Sequence, residues 1–291
     1  MKYRFIAVER ANYAVTLLCR VLKASRSGFY AYLSRKYSHR ALENQDILIK
    51  IKRSFLSSRK TYGSPRIHAD LQASGLKVGR NRVARLMQTN NIFAIKRKKR
   101  RKSSVESASI TSAPNLLQRS FSQHAPNQAW ASDITYLPTH EGFLYLAGIL
   151  DLYSRRVVGL AMGAIQDSNL VLDALKMAIS YRSAAPGLIH HSDQGSQYKS
   201  LVYQQELRNN KIICSMSRRG NCYDNAVKES FFSSLKRELM KNKSWPSKRL
   251  LRQAVTDYIF SFYNTRRRHS SLGYKSPIEF ENNYYKTLTA S

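Results

Sequence analysis

Three carboxylates and a lysine stand where their types and spacing could do chemistry. Glu229 and Lys236 lie seven residues apart in Asn225-Ala-Val-Lys-Glu-Ser-Phe-Phe-Ser-Ser-Leu-Lys-Arg-Glu-Leu239, almost two turns of one helix, so they share a line. Val227, Phe231, Leu235 and Leu239 recur every four residues, with Phe232 at the edge, and make the buried stripe; the acid and the base fall away from its centre. Asp133 stands inside Trp130-Ala-Ser-Asp-Ile-Thr-Tyr-Leu137, a β-branched and aromatic run that reads as a strand. Asp193 closes Gly187-Leu-Ile-His-His-Ser-Asp193 and runs into the turn signal Gln194-Gly195. Carboxylates drawn to one point repel one another unless a cation neutralises them. Hard oxygen ligands without a thiolate or imidazole cluster suit Mg²⁺ or Mn²⁺ rather than zinc. Two such ions about 3.5–4 Å apart would clamp the attacking and leaving oxygens of an in-line phosphoryl displacement.

The elements that would position these acids can be read from periodicity. Strand candidates are 131–137, 143–152, 156–164, 187–191 and 211–216; helices are expected over 169–182 and 201–209. Three strands in a meander, then helix-strand-helix-strand-helix, predict a mixed sheet with helices on its faces. Ligands of such sheets sit beyond the carboxyl ends of parallel strands, which is where Asp193 falls. Three other carboxylates have simpler uses: Asp151 pairing with Arg155 and Arg156, and Asp167 and Asp224 capping helices. His190 and His191 read as strand residues.

Six blocks resemble a known family, in the right order: 132–136 (Ser-Asp-Ile-Thr-Tyr), 150–155 (Leu-Asp-Leu-Tyr-Ser-Arg), 191–198 (His-Ser-Asp-Gln-Gly-Ser-Gln-Tyr), 215–226 (Ser-Met-Ser-Arg-Arg-Gly-Asn-Cys-Tyr-Asp-Asn-Ala), Glu229 with Lys236, and 268–277 (Arg-His-Ser-Ser-Leu-Gly-Tyr-Lys-Ser-Pro). The resemblance is to the DDE transposases of bacterial insertion sequences, relatives of retroviral integrases, and within them to the larger (OrfB) product of the insertion-sequence-three family. It implies a ribonuclease-H-like core over residues 126–242, an α/β fold built on a mixed five-stranded sheet. It implies that Asp133, Asp193 and Glu229 are the catalytic, metal-binding acids, Asp133 bridging two Mg²⁺ (or Mn²⁺) ions while the other two hold one each. Water would first cut the strand at the element's end, and the exposed 3′-hydroxyl would then attack a second phosphodiester, without a covalent protein–DNA intermediate. Lys236 would touch phosphate near the reacting end. Arg218 and Arg219 would form a basic loop beside the site. Gln194 departs from the Arg that some members carry after the second acid. A purely hydrolytic nuclease, or a catalytically idle DNA-binding regulator, are the alternatives.

Charge points the same way. The 291 residues carry a net +31, and residues 1–110 hold 26 Lys and Arg against 5 Asp and Glu, a front end suited to nucleic acid. Residues 14–36 read as helix-turn-helix within an N-terminal region 1–40. A second DNA-binding module over 41–102 is expected from helices at 41–57, from 64 (well capped, with Pro65 in its first turn) and over 79–87; the last presents Arg80, Arg82 and Arg85. Lys96, Arg97, Lys98, Lys99, Arg100, Arg101 and Lys102 form a continuous basic run suited to phosphates. A linker is expected over 103–125. Residues 243–291 should hold one amphipathic helix (247–263), the basic stretch Arg266-Arg-Arg-His269 and an irregular end. Cys19, Cys214 and Cys222 fit a reducing compartment, no secretory signal is visible, and no stretch is long enough to span a bilayer. The expected setting is the cytoplasm, at the nucleoid. The expected partners are terminal-repeat and target DNA, a second copy of the chain in a dimer or larger synaptic complex, and the family's upstream OrfA product.

Overall fold

A computed structural model of the chain describes residues 1–34, 38–95, 113–117, 123–183, 185–217, 226–241 and 243–290, apart from the side chains of 226–229 and 290. Three short helices open it: α1 (Lys2–Glu9), α2 (Val15–Val21) and α3 (Arg26–Ser34), closed around Ile6, Leu18, Cys19 and Phe29. The α2–α3 pair follows the pattern at 14–36; α1 carried no readable signal. A second three-helix unit follows, α4 (His39–Ser57), α5 (Ser64–Ala73) and α6 (Arg80–Thr89). Ser38 caps α4, and Pro65 occupies the first turn of α5.

Then come β1 (Ala129–Thr139), β2 (Gly142–Asp151), β3 (Val157–Gly163), α7 (Ser168–Arg182), β4 (Ile189–Ser192), α8 (Ser196–Lys199), α9 (Leu201–Asn209), β5 (Ile213–Met216) and α10 (Ala226–Leu235). The sheet order is β3-β2-β1-β4-β5. The first three strands are antiparallel neighbours, and β4 and β5 run parallel to β1. This is the mixed five-stranded sheet with flanking helices that the pattern implied. One face is covered by α7, α8 and α9 through Val171, Leu175, Tyr198, Tyr203 and Leu207. The other packs Leu137, Leu144, Leu146 and Leu150 against Phe231, Phe232, Leu235 and Leu239.

Gly159 lets α7 approach the sheet. A Cβ there would lie 2.3 Å from the Ala174 carbonyl oxygen and 2.9 Å from the Ala178 Cβ, whereas one at Gly79 would meet nothing within 4 Å. Gly159→Ala is therefore expected to destabilise the chain by about 1–3 kcal/mol in urea unfolding, while Gly79→Ala changes little.

Three expectations need correction. The helix read as continuous from 225 to 239 widens after Leu235 into a π-helical turn, Lys236–Met240. The extra residue keeps Leu239 in the core while turning Glu238 inward, where both are buried. The end of the chain is not irregular. After α11 (Lys248–Asp257) and a second π-helical turn, Tyr258–Tyr263, a 14-residue helix α12 (Pro277–Ala290) closes the chain. Its signal was the capping box Ser276-Pro-Ile-Glu279: Ser276 Oγ accepts from the Glu279 amide and the Glu279 carboxylate accepts from the Ser276 amide, each at 3.2 Å. The described part of the expected linker, 113–117, is docked. The Leu116 amide donates to Ser215 Oγ, and Leu117 is buried against Ala129, Ala131 and Leu152, because the β5 edge offers open hydrogen-bonding groups and Leu117 is apolar. Among the described residues no helix is long and apolar enough to cross a membrane.

Candidate active site

Strand β1 owes its central place to its composition: Trp130 and Ala131 are buried between two layers of helices, and Asp133 is the first acid along it. The parallel β1–β4 ladder pairs Ala129 with Ile189, Trp130 with His190 and Ala131 with His191. Carried two residues further, the same register sets Asp193, just past the carboxyl end of β4, beside Asp133 inside β1, on adjacent strands whose usual spacing is about 4.8 Å. Both residues are partly exposed.

The antiparallel ladder decides which face Asp133 occupies. It stands opposite Gly148 of β2, and directly opposed residues share a face. A Cβ on Gly148 would meet the rings of Phe232 at 3.4 Å and Phe231 at 3.6 Å. Asp133 thus belongs to the face that α10 covers, and a glycine opposite it lets the helix come close. Glu229 lies on α10, two residues before Phe231; its side chain is outside the described residues. Among the described residues no three potential metal ligands gather.

Backbone groups hold the two aspartates. Asp133 Oδ1 accepts from the Ile134 amide at 2.9 Å. Asp193 Oδ1 accepts from the Gly195 amide at 2.9 Å, an Asx turn from β4 into α8. Gln194, where an arginine would have been a phosphate contact, donates to the Ser217 carbonyl at 3.1 Å and ties this turn to the end of β5. Beneath the aspartates lies a buried hydroxyl network. Ser132 Oγ meets Tyr198 Oη at 3.0 Å, His190 Nε2 meets Tyr203 Oη at 3.0 Å, and His191 Nδ1 meets Ser215 Oγ at 2.9 Å. Burial pushes the Tyr198 hydroxyl far above its ordinary range, and Tyr203 and then the Asp133 and Asp193 carboxylates push the same way. Tyr198 therefore stays a neutral floor to the acidic site, and the histidines act as strand residues.

Lys236, the first residue of the π-helical turn, holds its ammonium 4.7 Å from the centre of the Tyr136 ring on β1. The basic head is thus held against β1. Asp167 caps α7 through the Leu170 amide at 3.0 Å, as expected. Asp151 departs from expectation: it is fully buried and accepts from the amides of Asn127 at 2.7 Å and Ser154 at 2.8 Å rather than pairing with Arg155 or Arg156. Arg156 and Arg182 instead converge on Glu281 of α12, at 3.0 and 2.5 Å.

Arg80 and Arg85 are exposed on α6, as the basic face predicts. Arg82 is used inside its own unit, in a two-pronged pair with Glu43 at 2.8 and 3.0 Å and a bond to Asn44. Lys96, Arg97, Lys98, Lys99, Arg100, Arg101 and Lys102, and also Arg218, Arg219 and Asp224, lie outside the described residues.

The residues that sequence reasoning missed hold α10 in place. Glu238, buried in the π-helical turn, accepts from Arg267 Nε at 2.9 Å and Nη2 at 2.7 Å, from Tyr258 Oη at 2.9 Å and from Arg237 at 3.1 Å. Arg267 also reaches Ser234 on α10 at 3.2 Å. The stretch read as a basic tail is therefore a clamp. Its next residue, Arg268, pairs with Asp70 of α5 and donates its amide to Tyr62 Oη at 2.7 Å. Arg59 meets Asp257 at 2.6 Å, so the second helical unit docks against the same C-terminal segment.

Two family models described as integrase core domain match residues 123–222 and 210–277, and one described as HTH-like domain matches residues 41–100. Transposase InsF for insertion sequence IS3A of Escherichia coli (strain K12) is 39% identical over 284 residues, 97% of this chain and 99% of that one. The insertion element IS600 uncharacterized 31 kDa protein of Shigella sonnei is 39% identical over 269 residues, 92% of this chain and 99% of that one. Among solved structures, the HTLV-2 integrase catalytic core domain in complex with magnesium (dimeric form) aligns with 54% of this chain and 98% of its own, at 18% identity and a TM-score of 0.42.

Proposed function

The chain belongs to the family of the InsF transposases of insertion sequence IS3 and is a DNA transposase, and from that premise we propose that Asp133, Asp193 and Glu229 form its catalytic centre. One observation carries the reading. The β1–β4 register, carried two residues past its last pair, brings Asp193 beside Asp133, on a sheet whose Asp133 face is covered by the helix that bears Glu229.

The donor set fits a hard divalent ion. The two carboxylates are partly exposed and each accepts a backbone amide through Oδ1; they are hard oxygen donors of the kind such an ion takes, and the histidines of β4 are buried against hydroxyls. Mg²⁺ or Mn²⁺, two ions in the full site, would be held by the three acids and, when bound, would stabilise charge on the attacking and leaving oxygens of a phosphodiester. The chain's own groups do the rest. The backbone amides of Ile134 and Gly195 fix the carboxylate orientations. The Asp193 turn and the partly exposed Asp133 leave the site open to solvent past the end of β4, where a DNA strand can enter. Lys236, held against the Tyr136 ring on β1, would leave that ring to meet a phosphate in the opening. Arg218 and Arg219 precede α10 in sequence and supply further charge for the scissile strand.

Recognition of the element's terminal repeats is assigned to residues 1–102. Arg80 and Arg85 would face the DNA from α6, with the basic run 96–102 along its phosphates. Arg82 would position α6 through Glu43 rather than touch DNA. Joining one DNA end to another needs two ends held together, hence a synaptic assembly of two or more copies, with an upstream OrfA product as a further partner.

A labelled element-end duplex incubated with the chain, Mg²⁺ and a second DNA tests the reading. Metal-dependent joining of the exposed 3′ end to the second DNA is the expected result. Cutting without joining would indicate a nuclease, and binding without either reaction would indicate a regulator.

A further inference from the structure

Helix α4 buries one face, through Ile47, Ile51 and Ser54, and leaves a second apolar line in solvent. Leu42 is 49% exposed, Ile49 65% and Leu56 62%. Charged residues interleave with them, so that Leu42, Asp46, Ile49, Arg53 and Leu56 follow one another at spacings of four, three, four and three. That is the spacing of a coiled-coil seam, here about 21 Å long at 1.5 Å per residue. Asp46 and Arg53 are exposed, and neither enters an ion pair among the described residues.

The line is nearly symmetric about Ile49. When two α4 helices are laid antiparallel, Ile49 meets Ile49 of the second copy and Leu42 meets Leu56 at each end. Asp46 and Arg53 of the other copy then lie within one residue's rise, about 1.5 Å along the axis, twice over. A parallel pairing would instead set Asp46 on Asp46 and Arg53 on Arg53, which repel. The stripe is thus complementary to itself in one orientation only. An ordinary solvated helix face has no need of three large aliphatic residues in register, each about half or more exposed.

We infer that α4 is a self-association surface, on which a second copy of this chain docks through an antiparallel pairing of the two α4 helices. The pairing would join two copies through the helical unit that precedes the catalytic core, and leave Arg80 and Arg85 on a different helix. The inference does not rest on the catalytic reading, because it is tested without DNA or metal.

Sedimentation equilibrium of the full chain is the test, at about 0.3 M salt so that the self-repulsion of the +31 chain is screened. With only three apolar layers, a dimer of roughly micromolar dissociation constant is expected. Ile49→Asp, Asp46→Arg and Arg53→Asp should each weaken it by about tenfold or more, and the double variant Asp46→Arg/Arg53→Asp should return to within about threefold of the native chain. All three positions are on the surface, so circular dichroism should stay unchanged. A native chain that remains monomeric would overturn the inference. So would a dimer indifferent to Ile49→Asp, or a double variant as weak as its singles.

Discussion

Replacing Asp193 by Asn is expected to silence strand cutting and strand joining together, each by about a thousandfold or more. Loss of a metal-ligating carboxylate removes several kcal/mol of transition-state stabilisation, and each 1.36 kcal/mol is about tenfold in rate. Both steps should fall in parallel because one set of acids serves both. The substitution is mild structurally. Asn keeps an oxygen to accept from the Gly195 amide, so the turn from β4 into α8 is held. Binding to terminal-repeat DNA, assigned to residues 1–102, should stay within about twofold in a gel-shift titration. Single-turnover assays with a pre-cut end separate the steps: joining from a pre-cut substrate at the native rate would place Asp193 in cutting alone.

The second large effect concerns stability. Glu238→Gln leaves Arg267, 2% exposed, buried without a counter-charge, and breaking such a pair costs about 3–5 kcal/mol. For a chain of this size that corresponds to a fall in Tm of roughly 6–20 °C. Glu238→Leu combined with Arg267→Leu should recover most of the loss, since two apolar groups need no neutralisation. Burial by itself would raise the Glu238 pKa, but hydrogen bonds and charge from Arg267 outweigh it and hold the carboxyl below its ordinary value. A carboxyl depressed on folding contributes stability that is present above its unfolded pKa, near 4.3, and lost as pH falls through the lower folded value. Glu238→Gln should therefore flatten the stability curve in that acid window. His269 acts at higher pH. Burial, then the charges of Arg267, Arg66 and Arg155, hold it neutral well below the usual 6.5. The unfolded chain binds the proton more readily, so stability should begin to fall below about pH 6.5. Urea unfolding at pH 7 and 5.5 reads the His269 effect, and at pH 4 and 3 the Glu238 effect.

Much of this architecture is legible in the residues themselves. The alternation of β1, the apolar run of β2 and the four-residue period of α10 each report a local environment, and the strands and helices of the core lie within a few residues of the expected positions. What escaped is non-local. Arg267 looks like one of three surface arginines until Glu238, twenty-nine residues earlier, is seen to share its burial. Arg82 looks like a DNA contact until α4 brings Glu43 beside it. Asp151 sits next to two arginines in sequence, yet its strand turns it toward the amides of Asn127 and Ser154. The π-helical turn arises from the demand of a buried acid on a helix whose pattern reads as regular. Helix α12 was the one omission with a local cue, the capping box at Ser276. Of the candidate site, the pairing of Asp193 with Asp133 follows from strand register; the place of Glu229 follows from the helix alone.

Helix α10 and its continuation carry two acids nine residues apart with opposite proposed work: Glu229 in catalysis, Glu238 in holding the helix. The joining rate of Glu229→Gln, measured on end-labelled DNA with Mg²⁺ beside its melting temperature, tests this division directly. A loss of about a thousandfold is expected, with Tm and DNA binding unchanged. Joining at the native rate by a folded, DNA-binding Glu229→Gln chain would contradict it.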